Sequence, residues 1–548
     1  MRIISTITEV DISLSPQDIA YQLSGSDYLC FLDSSLLPDK YSRFSYIGWE
    51  PSFTIKSYGL KNEFINISKK INNFSYHHPL KYFKENLNNF IYHLEEDKRD
   101  NIKVLYIKGG SIGEIKLLAR REDKNIPDFI GGFMGYFSYD LKDYIEELPH
   151  STIDDISIPI IYQNYYNKVL AWNHQKKQWY FIRNFIVCPT GDAQNSDNIQ
   201  DDRIRELFEP ADLAGPGIED TGIMERAKTD FENFQSTLDE KKKDIHKDII
   251  NKYLKGDDVS IKLKPNMSKK EYLEGVKRTK EHIHDGDIYQ VNFSQRFQSE
   301  AKIDPMDMYY ILRKKNAAPF SAYLGFPEFT IGSSSPERFL YQKGDRIETR
   351  PIKGTRPRGK NSEEDAKYAK ELAESPKDRA ELNMIVDLER NDLGKFCYYG
   401  SVEVAGHAVI EKYARVFHTV STVTGKVKMG IDAADILKTA FPGGSITGAP
   451  KIRAMKIIDE LEPSSRGVYT GSIGYISIDG TMDLNIVIRT FIMKDNRFYY
   501  NVGGGIVADS RPGMEYQETL DKGIALEDTL NYFRHENLLK FMQEKAGS

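Results

Sequence analysis

Between Leu29 and Gly48, short apolar runs are broken at Ser35, at Pro38-Asp39 and again at Gly48-Trp49-Glu50-Pro51, a rhythm that predicts strands and tight turns. Leu80, Phe83, Leu87, Phe90, Ile91 and Leu94 then recur at helical spacing, which predicts a helix laid against that sheet. Strand-like runs resume through Phe133-Met134-Gly135-Tyr136 and Ile158-Pro159-Ile160-Ile161 to Val187. From 191 to 260 the pattern breaks: 28 of the 70 residues are charged and 21 are apolar, or 40% and 30%, against 28% and 40% for the whole chain. That shift predicts a charged linker or insertion over 191–267, loose at Asn195-Ser196-Asp197-Asn198 and Gly215-Pro216-Gly217, with a solvated helix from Lys241 to Tyr253. After Ser268 a helical run from Tyr272 to His284 stops at Asp285-Gly286, and strands, glycine turns and amphipathic helices follow to Phe533. The expected segments are therefore 1–190, 191–267, 268–535 and a short tail, 536–548.

Composition narrows the function classes. A chain of 548 residues, 40% hydrophobic and 28% charged, can bury a large core and is neither disordered nor fibrous. Its net charge of −6 argues against a nucleic-acid partner or a polybasic membrane surface. Cys30, Cys188 and Cys397 are too few and too scattered for a disulfide framework or a CxxC zinc site. Met1-Arg2-Ile3-Ile4 runs into Glu9 and Asp11 before an apolar segment can form, so a cytoplasmic protein is expected, with no leader and no membrane span.

Three motif look-alikes fail on context. Gly503-Gly504-Gly505-Ile506-Val507-Ala508 fits the dinucleotide pattern, but too little chain follows to complete a nucleotide-binding half. Gly443-Gly444-Ser445-Ile446-Thr447-Gly448-Ala449-Pro450-Lys451 lacks both the Gly-Lys junction and the following hydroxyl of a phosphate loop. Glu281 and His284 have di-iron spacing, but the chain's other Glu-x-x-His, Glu147 to His150, carries Pro149 within it and cannot offer the pair from a helix interior, and His284 is expected exposed at a helix C-terminus.

Other constellations are chemically richer. Ser375-Pro376 opens a helix that sets Asp378 and Glu381 on one face, and Ser510-Arg511-Pro512 opens another with Glu515 and Glu518 at the same spacing. Leu520, Ile524 and Leu530 are expected to face a core from the second helix. Four oxygen donors without Cys or His suit a hard cation, Mg²⁺ above all, although acids at helix N-termini are favourable with no metal at all. Lys353 sits among Arg350, Arg356 and Arg358, where neighbouring cations and burial would favour the neutral, nucleophilic amine; most such lysines merely bind anions or water. Glu337, after the rigid Ser335-Pro336 turn, is a candidate general acid if desolvation raises its pKa.

Taken together, these motifs resemble those of the chorismate-binding enzymes, the family of anthranilate and aminodeoxychorismate synthase large subunits and of isochorismate and salicylate synthases. The resemblance runs in order through Gly286-Asp287-Ile288-Tyr289-Gln290-Val291-Asn292, Ser335-Pro336-Glu337, Arg350-Pro351-Ile352-Lys353-Gly354-Thr355 and Val386-Asp387-Leu388-Glu389-Arg390-Asn391-Asp392-Leu393. It continues through Pro442 to Lys451, Arg466-Gly467-Val468-Tyr469-Thr470-Gly471 and Gly503 to Ser510, so 268–535 is expected to be catalytic. Leu32-Asp33-Ser34-Ser35, Arg43-Phe44-Ser45-Tyr46-Ile47-Gly48 and Gly131 to Tyr136 are similar to the family's N-terminal region. The resemblance implies one α+β unit, a large two-sheet β-sandwich with helices packed outside and the chorismate site between.

It also implies roles. Gln290 stands where the water-using relatives carry a water-activating lysine, which implies an amine nucleophile. Lys353 occupies a position that is usually alanine in anthranilate synthases and lysine in enzymes that form aminodeoxychorismate, so it would attack chorismate C2 while Glu337 protonates the departing C4 hydroxyl. Glu381 and Glu518 match the family's Mg²⁺ ligands, with Asp378 and Glu515 behind them. Arg489, Lys451 and the amides of Gly504 and Gly505 would clamp the carboxylates, with Thr355, His418, Thr447 and Tyr469 completing the pocket; unaided by the resemblance, His418 and Tyr469 read as packed core residues. Asp33 and Ser34 with Pro319, Phe320 and Ser321 match a tryptophan pocket of relatives. No cysteine lies in a Gly-x-Cys-x-Gly setting, so ammonia is expected from solution or from a separate glutamine amidotransferase subunit in a heterodimer. An anthranilate-forming enzyme is the nearest rival, and a silent tryptophan-binding regulatory subunit a third reading, which the intact Lys353, Glu337, Glu381 and Glu518 oppose.

Overall fold

The computed structural model describes residues 2–36, 43–67, 69–90, 102–108, 111–115, 126–187, 208, 211–214, 218–239, 244–413 and 416–546. Pro38-Asp39, Ile91, Leu94, Cys188, Asn195 to Asn198, Gly215 to Gly217 and Lys241 lie outside them. Among the described residues the strands assemble into a 15-stranded and a 12-stranded sheet, and both mix N- and C-terminal segments. In the first, Phe320–Gly325 pairs with Cys30–Asp33, setting Ser321 opposite Asp33. In the second, Ser472–Ser477 pairs with Gly132–Phe137, setting Ser472 opposite Phe137. The expected α+β sandwich is therefore what forms, and neither terminal region could complete a sheet without the other.

The sheets are held face to face by apolar and aromatic side chains. Tyr46 of the first meets Tyr475 of the second edge-on at 5.5 Å between ring centroids, and Phe326 stacks on Tyr162 at 3.9 Å. Helices cover the outer face of the first sheet, where Ile249, Met308, Ile311, Leu526 and Leu530 pack over Phe31, Ile47, Leu170 and Phe181. The early periodic segment forms the helix Pro79–Phe90, with Leu80, Phe83 and Leu87 buried.

The charged stretch departs from its sequence reading in one respect. Its helix Ile245–Lys255 is not solvated all round: Ile245, Ile249, Ile250 and Tyr253 are buried, and the Tyr253 hydroxyl donates to buried Asp307 at 2.9 Å. A preceding helix, Asp220–Thr237, offers Asp230 to the guanidinium of buried Arg183 at 2.6 Å. High charge marks the outer faces of these helices, while a few spaced apolar residues dock them. Ile524 also differs from expectation: it is 49% exposed, because the inward face of Pro512–Asn531 runs through Glu515, Thr519, Gly523, Leu526 and Leu530.

Candidate active site

The two acid-bearing helices bring Glu381 and Glu518 within Coulombic reach of each other. Pro376–Phe396 begins under an N-cap from Ser375 and packs on the strands Ile352–Pro357 and Val416–Lys426. Pro512–Asn531 packs on Arg497–Ile506, the strand that carries Gly504 and Gly505. Lys353 lies on Ile352–Pro357, which ends its sheet, and a bulge follows it where Gly354 takes φ +79. A side chain at Gly354 would start 3.0 Å from Cβ of Asp378, so glycine is what lets the strand turn this close to the acid helix.

The bulge directs Lys353 into a ring of carboxylates. Burial pulls its pKa down and Lys522 adds to the effect, while Glu381, Glu337 and Glu518 oppose it from within Coulombic reach. Among the described residues the Lys353 ammonium has no ion-pair partner, and neither has the Arg489 guanidinium, whose pKa burial also lowers. Glu337 is 5% exposed and pushed up to about 6 by burial, against the hydrogen bond from Ser445 and the charge of Lys353. The Ile352 amide donates to it at 3.4 Å.

The remaining residues named from the sequence divide. Gln290 is fully buried with neither amide atom hydrogen-bonded, and a Cβ at Gly505 would lie 2.9 Å from its nitrogen. His418 is buried and held neutral, its pKa pushed down to about 3 by burial and by Arg489. Its Nδ1 lies 2.9 Å from the hydroxyl of exposed Thr355, while Nε2 has no partner. A Cβ at Gly503 would stand 3.0 Å from the buried Tyr469 hydroxyl, and one at Gly504 within 3.6 Å of both Glu515 and Glu518. Thr447 and Lys451 turn elsewhere: the Thr447 hydroxyl donates to the Gly443 carbonyl at 3.0 Å. Lys451 spends its three donors on Asp392 and on the carbonyls of Ala440 and Pro442, so it is not free to clamp a ligand carboxylate.

The acids fit a hard cation by donor type. Glu515 has a buried oxygen without a hydrogen bond, and Glu381 and Glu518 lie within Coulombic reach of each other. Among the described residues, however, no three such side chains are gathered as a ready-made metal cluster. Cations hold them instead: Lys377 at 3.8 Å from Glu381, Lys522 at 2.8 Å from Glu518 and Arg356 at 2.9 Å from Asp378. Lys522 and Ser445 escaped the sequence reading. The first had a signal, since Glu518 and Lys522 stand four apart on one helix.

The second cluster lies apart from these groups. Asp33, Ser34, Pro319, Phe320 and Ser321 all line a cavity of about 1280 Å³ between the two sheets, and neither Lys353 nor Glu337 reaches it. The Asp33 carboxylate is already bound by Arg313 at 2.5 Å and by the Tyr309 hydroxyl at 3.1 Å, and the Ser34 hydroxyl by the Phe44 carbonyl at 2.8 Å.

The family of chorismate binding enzymes matches residues 47–528. The chain belongs to it. Anthranilate synthase component 1 of Haloarcula marismortui is 38% identical over 410 residues, 74% of this chain and 77% of that one. Aminodeoxychorismate synthase component 1 of Bacillus subtilis is 36% identical over 425 residues, 78% and 82% of the two chains. The crystal structure of anthranilate synthase component I from Streptococcus pneumoniae superposes with a TM-score of 0.64 at 28% identity, over 90% of this chain and 93% of that one. This member of the family is thus a chorismate-utilising enzyme of the anthranilate and aminodeoxychorismate synthase group. No described helix is long and apolar enough to cross a membrane.

Proposed function

We propose that the chain replaces the C4 hydroxyl of chorismate with ammonia, giving 4-amino-4-deoxychorismate for para-aminobenzoate and folate synthesis, as the first component of a pair whose glutamine amidotransferase supplies the ammonia. The observation that carries this reading is the unpaired Lys353 amine, depressed by burial and within Coulombic reach of Glu337. Neutral Lys353 adds to C2, the ring double bonds shift, and the C4 oxygen leaves as water with the proton of Glu337. Ammonia then bonds to C4, the double bonds shift back, the lysine amine departs, and the surplus proton returns to Glu337. Gln290, an amide where a base would activate water, leaves the incoming nucleophile to ammonia. Arg489, a half-buried cation with no ion pair among the described residues, is the natural partner for a chorismate carboxylate, with neutral His418 and Tyr469 beside the ring. Glu381 and Glu518, backed by Glu515 and Asp378, would hold Mg²⁺ once Lys377 and Lys522 swing aside. Bound there, the ion would fix and neutralise the ring carboxylate.

Incubating the chain with chorismate, Mg²⁺ and ammonium tests the assignment. Aminodeoxychorismate is the expected product, converted to para-aminobenzoate only when a lyase is added. Anthranilate fluorescence without a lyase would overturn it in favour of the ring-aromatising reaction. Lys353→Ala is expected to slow amination at least about 100-fold, as loss of a covalent nucleophile does, and to abolish the chorismate adduct that peptide mass spectrometry detects on the wild-type lysine. An unchanged rate removes the covalent step.

A further inference from the structure

Glu389 lies two turns beyond Glu381 on Pro376–Phe396, is 3% exposed, and has no part in the chemistry above. One of its oxygens accepts the amide of Gly444 at 3.0 Å, and the other lies 3.5 Å from the Thr349 hydroxyl, just before Arg350 and Lys353. Gly444 opens the single turn Gly444–Ile446, whose Ser445 side chain stands beside Glu337 and favours its ionised form. A Cβ at Gly444 would meet Leu388 at 2.6 Å and the Glu389 oxygen at 3.1 Å, so the turn rests directly on this helix. Lys451 holds the approach to the same turn through the carbonyls of Ala440 and Pro442, and is itself bound to Asp392.

We propose that Glu389 is a positioning residue for the general acid: by gripping the Gly444 amide it fixes the turn that delivers the Ser445 hydroxyl to Glu337. The inference rests on the role given to Glu337 above. The charged groups facing Glu389 are Asp392 on its own helix, Lys451 on Lys451–Leu461, and Glu337. Burial first, then Asp392, pushes Glu389 up to about 7, against the pull of Lys451 and the Gly444 amide. Glu337, the more acidic of the two, ionises first, and its charge opposes the ionisation of Glu389. Glutamine at 389 keeps an acceptor for the Gly444 amide without the charge, whereas leucine removes both.

Glu389→Leu is expected to lower kcat for chorismate consumption about 10-fold or more, the size of one lost buried hydrogen bond to a charged acceptor, with KM nearly unchanged. Glu389→Gln should recover most of that loss and leave the basic limb of the pH profile near its wild-type position, whereas Glu389→Leu, by loosening Ser445, should move it to higher pH. Ser445→Ala should resemble Glu389→Leu, and the double variant should be little worse than either single one, because both act on one contact. An infrared titration of the Glu337 carboxyl, assigned with Glu337→Gln, reads the same coupling without turnover. A Glu337 pKa that is the same in wild type, Glu389→Gln and Glu389→Leu overturns the proposal, as does glutamine that rescues no better than leucine. If the wild type consumes no chorismate, the proposed function fails while the infrared result still decides the role of Glu389.

Discussion

Replacing Glu337 with glutamine separates what this carboxyl does for chemistry from what it costs the fold. Burial raises its pKa from 4.5 to about 6, and a shift of that size is worth about 2 kcal/mol. The folded chain thus holds the Glu337 proton more tightly than the unfolded chain does. Its stabilising contribution is complete below about pH 4.5 and is lost as pH rises through about 6. Above that, wild type carries a buried charge that Lys353 and Arg489 compensate only in part. Glu337→Gln should therefore be more stable than wild type by about 2 kcal/mol at about pH 8, and by less than half of that at about pH 5. The same variant should lose about 10²- to 10⁴-fold in turnover, the usual share of general acid catalysis, and with it the fall of kcat/KM as pH rises through about 6. Urea unfolding at the two pH values and chorismate depletion with ammonium measure both effects. Activity within a few-fold of wild type, or a stability change equal at both pH values, would refute the argument.

Chelating Mg²⁺ should stop turnover, and Glu518→Gln should weaken Mg²⁺ binding by calorimetry at least about 10-fold. Arg466→Met should destabilise the chain by about 3–5 kcal/mol in urea unfolding, because it leaves buried Glu462, 2.7 Å away, without its counter-ion. Tryptophan is expected to bind in the cavity between the sheets and raise the melting temperature with an effect that saturates; Phe320→Ala, in its wall, should weaken that binding while chorismate turnover in the absence of tryptophan persists.

Local chemistry in the chain was enough to place both acid helices. Ser375-Pro376 and Arg511-Pro512 open helices where proline at the first turn predicts them, and three-residue spacing puts each acid pair on one face. The resemblance, carried by ordered motifs, named Lys353, Glu337 and Gln290 together, and the structure brings Lys353 and Glu337 within Coulombic reach, with Gln290 against Gly505. Local pattern also accounts for the helix Lys269–His284 ending at Asp285, with His284 exposed. What it does not carry is the partner of each side chain. Lys451 reads as an anion clamp from its motif, yet Asp392, on a helix 59 residues earlier, takes its ammonium. Asp33 reads as a pocket residue, yet Arg313, 280 positions away, occupies its carboxylate. Helix 245–255 reads as solvated because charge dominates its composition, and only the sheet beneath reveals its apolar side. Periodicity, caps and turns are short-range and survive in one dimension. Desolvation and charge pairing depend on which distant strands the sandwich brings alongside, and those two effects set the pKa values of Lys353, Glu337 and Glu389.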